Sequence, residues 1–224
     1  MTLRGAAGGV DAVIKVGGGA LRAGTASHEG GFDEATLGAL GALGAALASA
    51  AERRRLVVVP GGWMFADLVR AADAALSLDA STAHWMAVLG MDQMAHLLAT
   101  RIPGAALVLD ERGVRSALDA GQLPVLAPYR WLRATDPLPH AWSVTSDSIA
   151  AWIAGALGAP RLVLVKPAPG PIAEVTDEYF AHALPATVRA SVLSVARPPS
   201  AEALTRALEA VLADTPSPSP HSAR

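Results

Sequence analysis

The sequence predicts an α/β protein, built as a three-layer αβα sandwich around an open, mostly parallel sheet. Short aliphatic runs alternate along the whole chain with longer helical patterns, as in repeated βαβ units. The runs are apolar at almost every position, which is typical of parallel strands covered by helices on both faces. Two of the runs stop abruptly at glycines, where such sheets bind their ligands.

The first half of the chain gives three strands and three helices. Strands are predicted at 11–16, 56–59 and 105–109, because these runs are β-prone and bounded by glycine, proline or charged residues. A helix rich in alanine and leucine is expected from Phe32 to Ala51, followed by the cations Arg53–Arg55, which suit a helix C-terminus. Helices are also expected at 63–76 and at 81–100, the latter with Ser81 as N-cap.

The second half continues the alternation with shorter elements. A short helix separates residue 109 from a strand at 123–127, and residues 129–142 are predicted to be irregular because of their prolines. Thr145 or Ser146 is expected to cap a helix that ends near Gly158. Strands at 161–165 and 191–195 and a helix at 200–212 follow, and the Pro/Ser-rich tail 215–224 is predicted to be disordered.

Composition narrows the range of functions. The chain of 224 residues is 52% hydrophobic and contains no cysteine, which predicts one globular domain without disulfides or thiolate metal sites. A net charge of −2 gives no footprint for nucleic acid. No apolar run is expected to reach the length of a membrane helix, since Arg, Asp or Gly interrupts each one. A cytoplasmic protein without membrane or nucleic-acid partners is therefore expected.

The two lysines stand out against an arginine background. Lys15 and Lys166 are the only lysines among eighteen basic residues, and both end apolar runs predicted to be buried strands. A lysine that persists where arginine is otherwise used indicates a need for a compact ammonium group. Such a group binds phosphate as a point charge.

Two glycine-rich loops follow predicted strands. Gly17, Gly18 and Gly19 come directly after Lys15-Val16, and Gly61 and Gly62 follow Pro60. Glycines without Cβ atoms let backbone N–H groups approach an anion closely. Either loop alone could be a plain strand-to-helix turn, whereas two such loops at one edge of a sheet favour a cleft for two anionic partners.

The remaining candidates are polar residues with open roles. Asp147, between Ser146 and Ser148, either caps a helix or serves as a carboxylate that holds the two lysines together. His140 lies in a proline-rich loop and is either a ligand contact or a structural histidine. Asp67 either lines the cleft or faces water, and no metal site is predicted from these residues.

The order Lys15-x-Gly-Gly-Gly, Pro60-Gly-Gly, Ser146-Asp147-Ser148 and a strand ending in Lys166 resembles the amino acid kinase superfamily. Residues 83–93 (AHWMAVLGMDQ) and 136–151 (DPLPHAWSVTSDSIAA) are similar to its aminomethylfuran phosphate kinase branch, of methanofuran and methylofuran synthesis. The resemblance implies one domain at 1–214, with acceptor binding in 1–142 and a shortened nucleotide-binding part in 143–214. It also implies a homo-oligomer, with a hetero-oligomer as the alternative.

The resemblance implies ATP-dependent phosphoryl transfer with Mg²⁺. Lys15, Asp147 and Lys166 would be catalytic. Gly17–Gly19 with Ser146 and Lys166 would hold ATP, and Gly61, Gly62, Asp67 and His140 would hold the acceptor. The expected acceptor is a small phosphorylated or anionic metabolite, first of all [5-(aminomethyl)furan-3-yl]methyl phosphate.

One departure from the superfamily pattern supports a second hypothesis. Many members carry an aspartate in the loop after the second lysine, whereas this chain has Pro167-Ala168-Pro169-Gly170. A binding or assembly subunit that keeps the fold without ATP turnover is therefore the alternative. A uridylate kinase is a third and weaker hypothesis, because the stretches around Trp85 and Trp142 resemble another branch.

Overall fold

The computed structural model describes residues 8–21, 33–195 and 200–213. Among them are six strands, which all pair in parallel. The strands are β1 (Ala12–Val16), β2 (Leu56–Pro60), β3 (Ala105–Val108), β4 (Leu123–Leu126), β5 (Arg161–Lys166) and β6 (Arg189–Ser194). Their order across the sheet is β3-β4-β2-β1-β5-β6. The predicted α/β class with a parallel open sheet is confirmed.

Helices cover both faces of this sheet. They are α1 (Glu34–Ala51), α2 (Trp63–Leu76), α3 (Ala80–Arg101), α4 (Glu111–Asp119), α5 (Tyr129–Thr135), α6 (Ser146–Ala156), α7 (Ile172–Val175), α8 (Phe180–Ala183) and α9 (Ala201–Ala213). One hydrophobic cluster joins α4, α5, α6 and α8 to one face, and another joins α1 and α9 to the opposite face. Helix α3 contributes to both clusters, residues 85–91 to the first and 94–98 to the second.

Helix α1 is the one element, within the described parts of the chain, that is long and apolar enough to span a membrane by length and composition. This differs from the expectation that no run would qualify, because the glycines inside α1 do not interrupt its helix. Its buried residues, including Leu40 and Leu47, lie in the core cluster. Its buried face thus behaves like that of a helix in the core of a globular domain.

Aspartate side chains cap the N-termini of α1 and α3. The Asp33 side chain accepts a hydrogen bond from the Thr36 N–H at 2.8 Å, so α1 begins at Glu34. Phe32, the predicted start, lies outside the described residues. The Asp79 side chain accepts from the N–H and the hydroxyl of Thr82, at 3.0 and 2.6 Å. Helix α3 therefore begins at Ala80, and the prediction of Ser81 as its N-cap is wrong.

The prediction that residues 129–142 are irregular is wrong for its first half. Residues 129–135 form helix α5, whose first N–H, that of Tyr129, donates to Asp92 Oδ1 at 2.9 Å. This cap comes from α3, 37 positions away, so no local signal marks the start of α5. The helix ends at Asp136, which adopts a left-handed conformation with φ of 41°, and Pro137 follows. The short helices α7 and α8 were also not predicted.

The strand order brings three strand ends together at the centre of the sheet. Strand β1 pairs with β2 on one side and with β5 on the other. The chain therefore builds one half of the sheet outward from β1 and the other half outward from β5. A crevice outside the carboxyl ends of the strands at such a switch point is the usual ligand site of open α/β sheets.

Candidate active site

Two neighbouring strands carry the lysines to the same place. Lys15 pairs with Leu164 across β1 and β5, and Lys166 lies two residues beyond Leu164. Side chains two positions apart on a strand lie on the same face, so both lysines project from the same face of the sheet. On that face, at its carboxyl edge, lies the N-terminus of α6.

Asp147, in the first turn of α6, lies between the lysines. Its Oδ1 is 2.8 Å from Lys15 Nζ, and its Oδ2 is 2.6 Å from Lys166 Nζ. Lys15 and Asp147 are each only 4% exposed, so water contributes little to their solvation. The three groups together carry one net positive charge, which suits an anionic ligand.

Burial and mutual attraction oppose each other in this cluster. Burial lowers the pKa of Lys15 more than attraction to Asp147 raises it, and repulsion from Lys166 lowers that pKa further. Burial raises the pKa of Asp147, but the two ammonium groups outweigh burial, so this pKa lies below its usual range. Asp147 is therefore ionised at neutral pH. A phosphate beside the ammonium groups would offset the effect of burial on Lys15.

The N-terminus of α6 is capped from a distance by Asp177, a residue that the sequence analysis did not single out. Asp177 Oδ2 accepts from the N–H and the hydroxyl of Thr145, at 3.0 and 2.7 Å, and from the N–H of Ser148 at 3.1 Å. Asp177 Oδ1 accepts from the Ser148 hydroxyl. Thr145 is the N-cap residue, but its own side chain makes no capping bond. Asp177 thus holds the helix turn that carries Asp147.

The first glycine loop is a 3₁₀ turn at the end of β1. The Gly17 N–H donates to Val165 O at 3.3 Å and is therefore not available to a ligand. The missing side chain of Gly17 leaves space for Lys15, because a Cβ there would lie 3.1 Å from Lys15 Nζ. A Cβ at Gly18 would lie 2.7 Å from Trp63 Cα. The N–H groups of Gly18 and Gly19 open the turn and have no partner within it. They are the groups of this loop that can meet an anion.

The second glycine loop lies against the first. The Gly61 N–H donates to Val16 O at 2.8 Å, and a Cβ at Gly61 would lie 3.1 Å from Ser146 Oγ. Gly62 is the N-cap of α2 and has no side chain to satisfy the first N–H groups of that helix. Trp63 follows with φ of 47°, a left-handed conformation that is strained for tryptophan. The N-terminus of α2 therefore lies at the cleft without a side-chain cap.

A cleft of about 760 Å³ extends from these two loops between α2, α3 and the segment 140–149. Its volume suits a small metabolite. Of the predicted site residues, it is lined by Gly18, Gly19, Gly61, Gly62, Asp67, His140 and Ser146. Lys15, Gly17, Asp147 and Lys166 are outside its lining. The candidate site thus has a lysine cluster next to an open cleft.

The far end of the cleft is formed by aromatic and charged side chains. Trp142 Nε1 donates to Asp73 Oδ2 at 2.6 Å, and the Arg70 guanidinium lies 4.7 Å from the centre of the Trp142 ring. Arg70 also pairs with Asp67 at 3.4 Å. Asp73 was not singled out from the sequence. Its spacing from Asp67 and Arg70 on one helix was the signal that could have found it.

His140 bonds through both ring nitrogens and stacks on a second histidine. Nδ1 lies 3.0 Å from Ser81 Oγ, and Nε2 lies 2.8 Å from Asp136 Oδ1. Its ring stacks on that of His84 with centroids 4.4 Å apart. Burial, followed by repulsion from His140, lowers the pKa of His84 to about 4. His84 is therefore neutral at pH 7.

The carboxylates near the lysines do not form a metal cage. Asp147 forms ion pairs with the two lysines, and Asp177 accepts hydrogen bonds from Thr145 and Ser148. In the parts of the chain that the structure describes, no three His, Cys, Asp or Glu side chains are grouped to hold a metal ion. Phosphate oxygens are ordinary ligands of Mg²⁺, so any Mg²⁺ would arrive with a nucleotide. The glycine cradle beside two lysines does fit nucleotide phosphates.

The fold and the site define an α/β protein with a lysine–aspartate cluster and two glycine loops at the switch point of a parallel sheet. The family model described as "Amino acid kinase family" matches residues 12–170, so the chain belongs to the amino acid kinase family. The matched stretch contains both glycine loops, Asp147 and both lysines. The resemblance inferred from the sequence is confirmed.

One curated relative is similar over half of the chain. It is the [5-(aminomethyl)furan-3-yl]methyl phosphate kinase of Methanocaldococcus jannaschii, 28% identical over 113 residues. The match covers 50% of this chain and 51% of the relative, so this chain spans about half the length of that relative.

Solved structures with the same fold include uridylate (UMP) kinases. The enzyme from Archaeoglobus fulgidus gives a TM-score of 0.63 at 16% identity, covering 89% of this chain and 96% of that one. The enzyme from Bacillus anthracis gives 0.60 at 14% identity, covering 88% and 91%. At these identities the likeness shows the fold alone.

Proposed function

We propose that this protein is an ATP-dependent kinase that transfers a phosphoryl group to a small phosphorylated metabolite. The observation that carries the proposal is the buried cluster in which Asp147 contacts Lys15 at 2.8 Å and Lys166 at 2.6 Å. A carboxylate between the buried Lys15 ammonium and the partly buried Lys166 ammonium fixes both of them next to the glycine loops.

The chemistry that this cluster offers is charge neutralisation and positioning. Phosphoryl transfer spreads negative charge over the oxygens of the moving group and asks for little covalent chemistry from the protein. Lys15 and Lys166 would flank that charge, and the N–H groups of Gly18 and Gly19 would hold the phosphates of ATP. Mg²⁺ bound to ATP would neutralise the remaining phosphate charge. A phosphate acceptor is already ionised at neutral pH, so no general base is required.

We propose that the acceptor lies in the cleft with its phosphate at Gly61 and Gly62. The N-terminus of α2, which has no side-chain cap and lies at the cleft, supports this placement, since helix N-termini favour phosphate. The preferred acceptor is [5-(aminomethyl)furan-3-yl]methyl phosphate, because the curated relative is named for it. The stretches around Trp85 and Trp142 support that choice, since His84 and Trp142 line the cleft. A role in methylofuran-type cofactor synthesis and an oligomeric, cytoplasmic protein are part of this proposal.

A second candidate is a subunit of the same fold that binds ligands without turnover. It is favoured by the loop Pro167–Gly170, which has no carboxylate next to Lys166. Asp177 contributes an acid near the lysines, but its two oxygens are occupied by the first turn of α6. The two candidates differ in ATP turnover.

Calorimetry with Mg·ATP, alone and then with the furan phosphomonoester, tests the kinase proposal. We expect nucleotide binding, followed by ADP release when the acceptor is added. ADP release with UMP but not with the furan ester would make UMP the acceptor in place of the furan ester. Absence of nucleotide binding at millimolar concentration would overturn the kinase proposal in favour of the non-catalytic subunit.

A further inference from the structure

The end of the cleft away from the lysines contains a polar side chain without a hydrogen-bond partner. His84 lines the cleft and is 8% exposed. Its contacts within the described residues are ring contacts with Trp85 and His140, and neither of its ring nitrogens has a hydrogen-bond partner there. Neither nitrogen is among the fully buried unsatisfied side-chain atoms of the described residues, so both keep access to the cleft. A neutral imidazole offers one donor and one lone pair, so His84 is poised to bond a ligand.

A carboxylate at the same end has a hydrogen-bond partner for only one of its two oxygens. Asp73 also lines the cleft, and its Oδ2 accepts from Trp142 Nε1 at 2.6 Å. Its Oδ1 has no bonding partner among the described residues. Asp67 adds a second carboxylate, and Arg70 is the one Lys or Arg side chain in the described lining of the cleft. This end is therefore negative overall, while the lysine cluster makes the opposite end positive.

One short segment fixes both groups. His140 stacks on His84, and Trp142 bonds to Asp73. The Cα atoms of His140 and Trp142 are at most about 7 Å apart. His84 and Asp73 therefore contact neighbouring positions of the segment 140–142. Ser81 and Asp136 hold the His140 ring from both sides. The two polar groups are thus pre-organised before a ligand arrives.

We propose that His84 and Asp73 form a subsite for a primary ammonium group of the acceptor, opposite its phosphate. The ammonium donates one hydrogen bond to the free ring nitrogen of His84 and another to Asp73 Oδ1. The acceptor class is then a compact amine that carries a phosphomonoester at its other end. This inference rests on the proposed function and deepens it, since it names the groups that select the acceptor. His140 is a positioning residue for His84.

The test is calorimetric binding of two esters that differ in one group. One is [5-(aminomethyl)furan-3-yl]methyl phosphate, and the other carries a methyl in place of the aminomethyl group. We expect the intact protein to bind the amine at least about tenfold more tightly, as for a charge-assisted hydrogen bond. In His84→Leu and in Asp73→Asn the preference should fall below about threefold, with the methyl ester bound as before.

The variants are chosen to separate recognition from folding. Asparagine at position 73 keeps an oxygen for the Trp142 N–H and removes only the charge. His84→Gln keeps an acceptor atom and should recover part of the amine preference that His84→Leu loses. Asp119→Asn removes a surface carboxylate on α4 and should leave both affinities unchanged.

Each outcome decides one proposal. Equal binding of the two esters by the intact protein, or a preference unchanged in both variants, would overturn the ammonium subsite. ADP release is followed in the same samples with Mg·ATP. Amine-selective binding without ADP release would sink the kinase proposal and leave the subsite. Equal ADP release with the two esters, together with equal binding, would overturn the subsite and leave the kinase proposal. Binding of neither ester would overturn the subsite and the furan ester as acceptor, while ADP release with another phosphorylated metabolite would keep the kinase proposal.

Discussion

The Asp177 side chain accepts a hydrogen bond from the Thr145 hydroxyl at 2.7 Å, across 32 positions of the chain. Together with its bonds to the Thr145 N–H and to Ser148, this contact replaces the local cap that α6 lacks. Because Asp147 lies in the first turn of α6, the position of the lysine-binding carboxylate depends on a residue far along the chain.

We therefore expect Asp177→Ala to lower both stability and activity. Loss of this cap should reduce the free energy of unfolding by roughly 2–3 kcal/mol, since several buried donors lose their acceptor. Denaturant unfolding followed by circular dichroism measures it. Glu178→Ala, at the next and exposed position, is the matched control and should change stability by less than about 0.5 kcal/mol. Equal effects in the two variants would refute the capping role.

Replacement of either lysine by arginine should abolish most turnover and preserve the fold. Lys15 is 4% exposed and its ammonium contacts Asp147 at 2.8 Å, so a wider guanidinium does not fit the same contact. We expect Lys15→Arg and Lys166→Arg each to lose at least about 100-fold in turnover. ADP release and circular dichroism are the measurements, with Arg115→Lys on the surface of α4 as control. Near-normal rates in both variants would remove the argument from the two lysines.

Asp147→Asn should leave the buried Lys15 ammonium and the partly buried Lys166 ammonium without a counter-charge. Breaking a buried ion pair in this way costs roughly 3 kcal/mol, which thermal unfolding would show. An anion that binds between the lysines should restore part of this loss, so inorganic phosphate should raise the Tm of the variant more than that of the parent protein. Asp119→Asn breaks an exposed pair with Arg55 and should cost less than about 1 kcal/mol. A phosphate response equal in the variant and the parent would contradict this account.

His84 should make stability depend on pH in the acid range. Its folded pKa of about 4 lies below the ordinary value of 6.5, so between these values the unfolded chain binds more protons. Stability is then fully present above pH 6.5 and falls as the pH drops towards 4, by up to roughly 3 kcal/mol for this group. His84→Gln should flatten the profile between pH 7 and 4, whereas His182→Gln, at an exposed position, should not. Identical profiles for His84→Gln and the parent would rule this out.

Gly18→Ala should strain the contact between the two glycine loops. A methyl at Gly18 would lie 2.7 Å from the Trp63 backbone, so one of the loops must move. We expect a loss of about 1–3 kcal/mol and weaker nucleotide binding. Gly41→Ala, at an exposed position in α1 with open space around it, should stabilise by up to about 1 kcal/mol. Thermal unfolding of both variants gives the comparison, and stabilisation by Gly18→Ala would show that the loops have room.

The strands and long helices were predictable because their signals are local. The run LVVV at 56–59 and the alanine-rich stretch of α1 encode their own secondary structure. Helix α5 was missed because its cap, Asp92, comes from another helix. Strand order was equally out of reach of local patterns. That Lys15 and Lys166 share a face follows from side-chain alternation only when β1 and β5 are known to be neighbours.

The site residues likewise divide into those with local signals and those defined by contacts in the folded chain. The lysines and glycines could be selected by type and by their place at strand ends. Asp177 could not, since it acts through a contact made by folding, with the start of α6. For Asp73 the spacing from Arg70 on one helix was available, but its contact with Trp142 was not. His84 carries no local signal of a ligand contact, and its open ring nitrogens emerge only when the cleft is assembled around it.

Both side-chain amines of this protein touch a single carboxylate. A reagent that acylates or reductively alkylates lysine therefore has two side-chain targets in the chain, and both belong to the candidate site. Labelling of these amines, read by mass spectrometry, would report whether the site is occupied without any assay of turnover. A ligand that covers the lysines would protect both residues together, and one that fills only the far end of the cleft would protect neither.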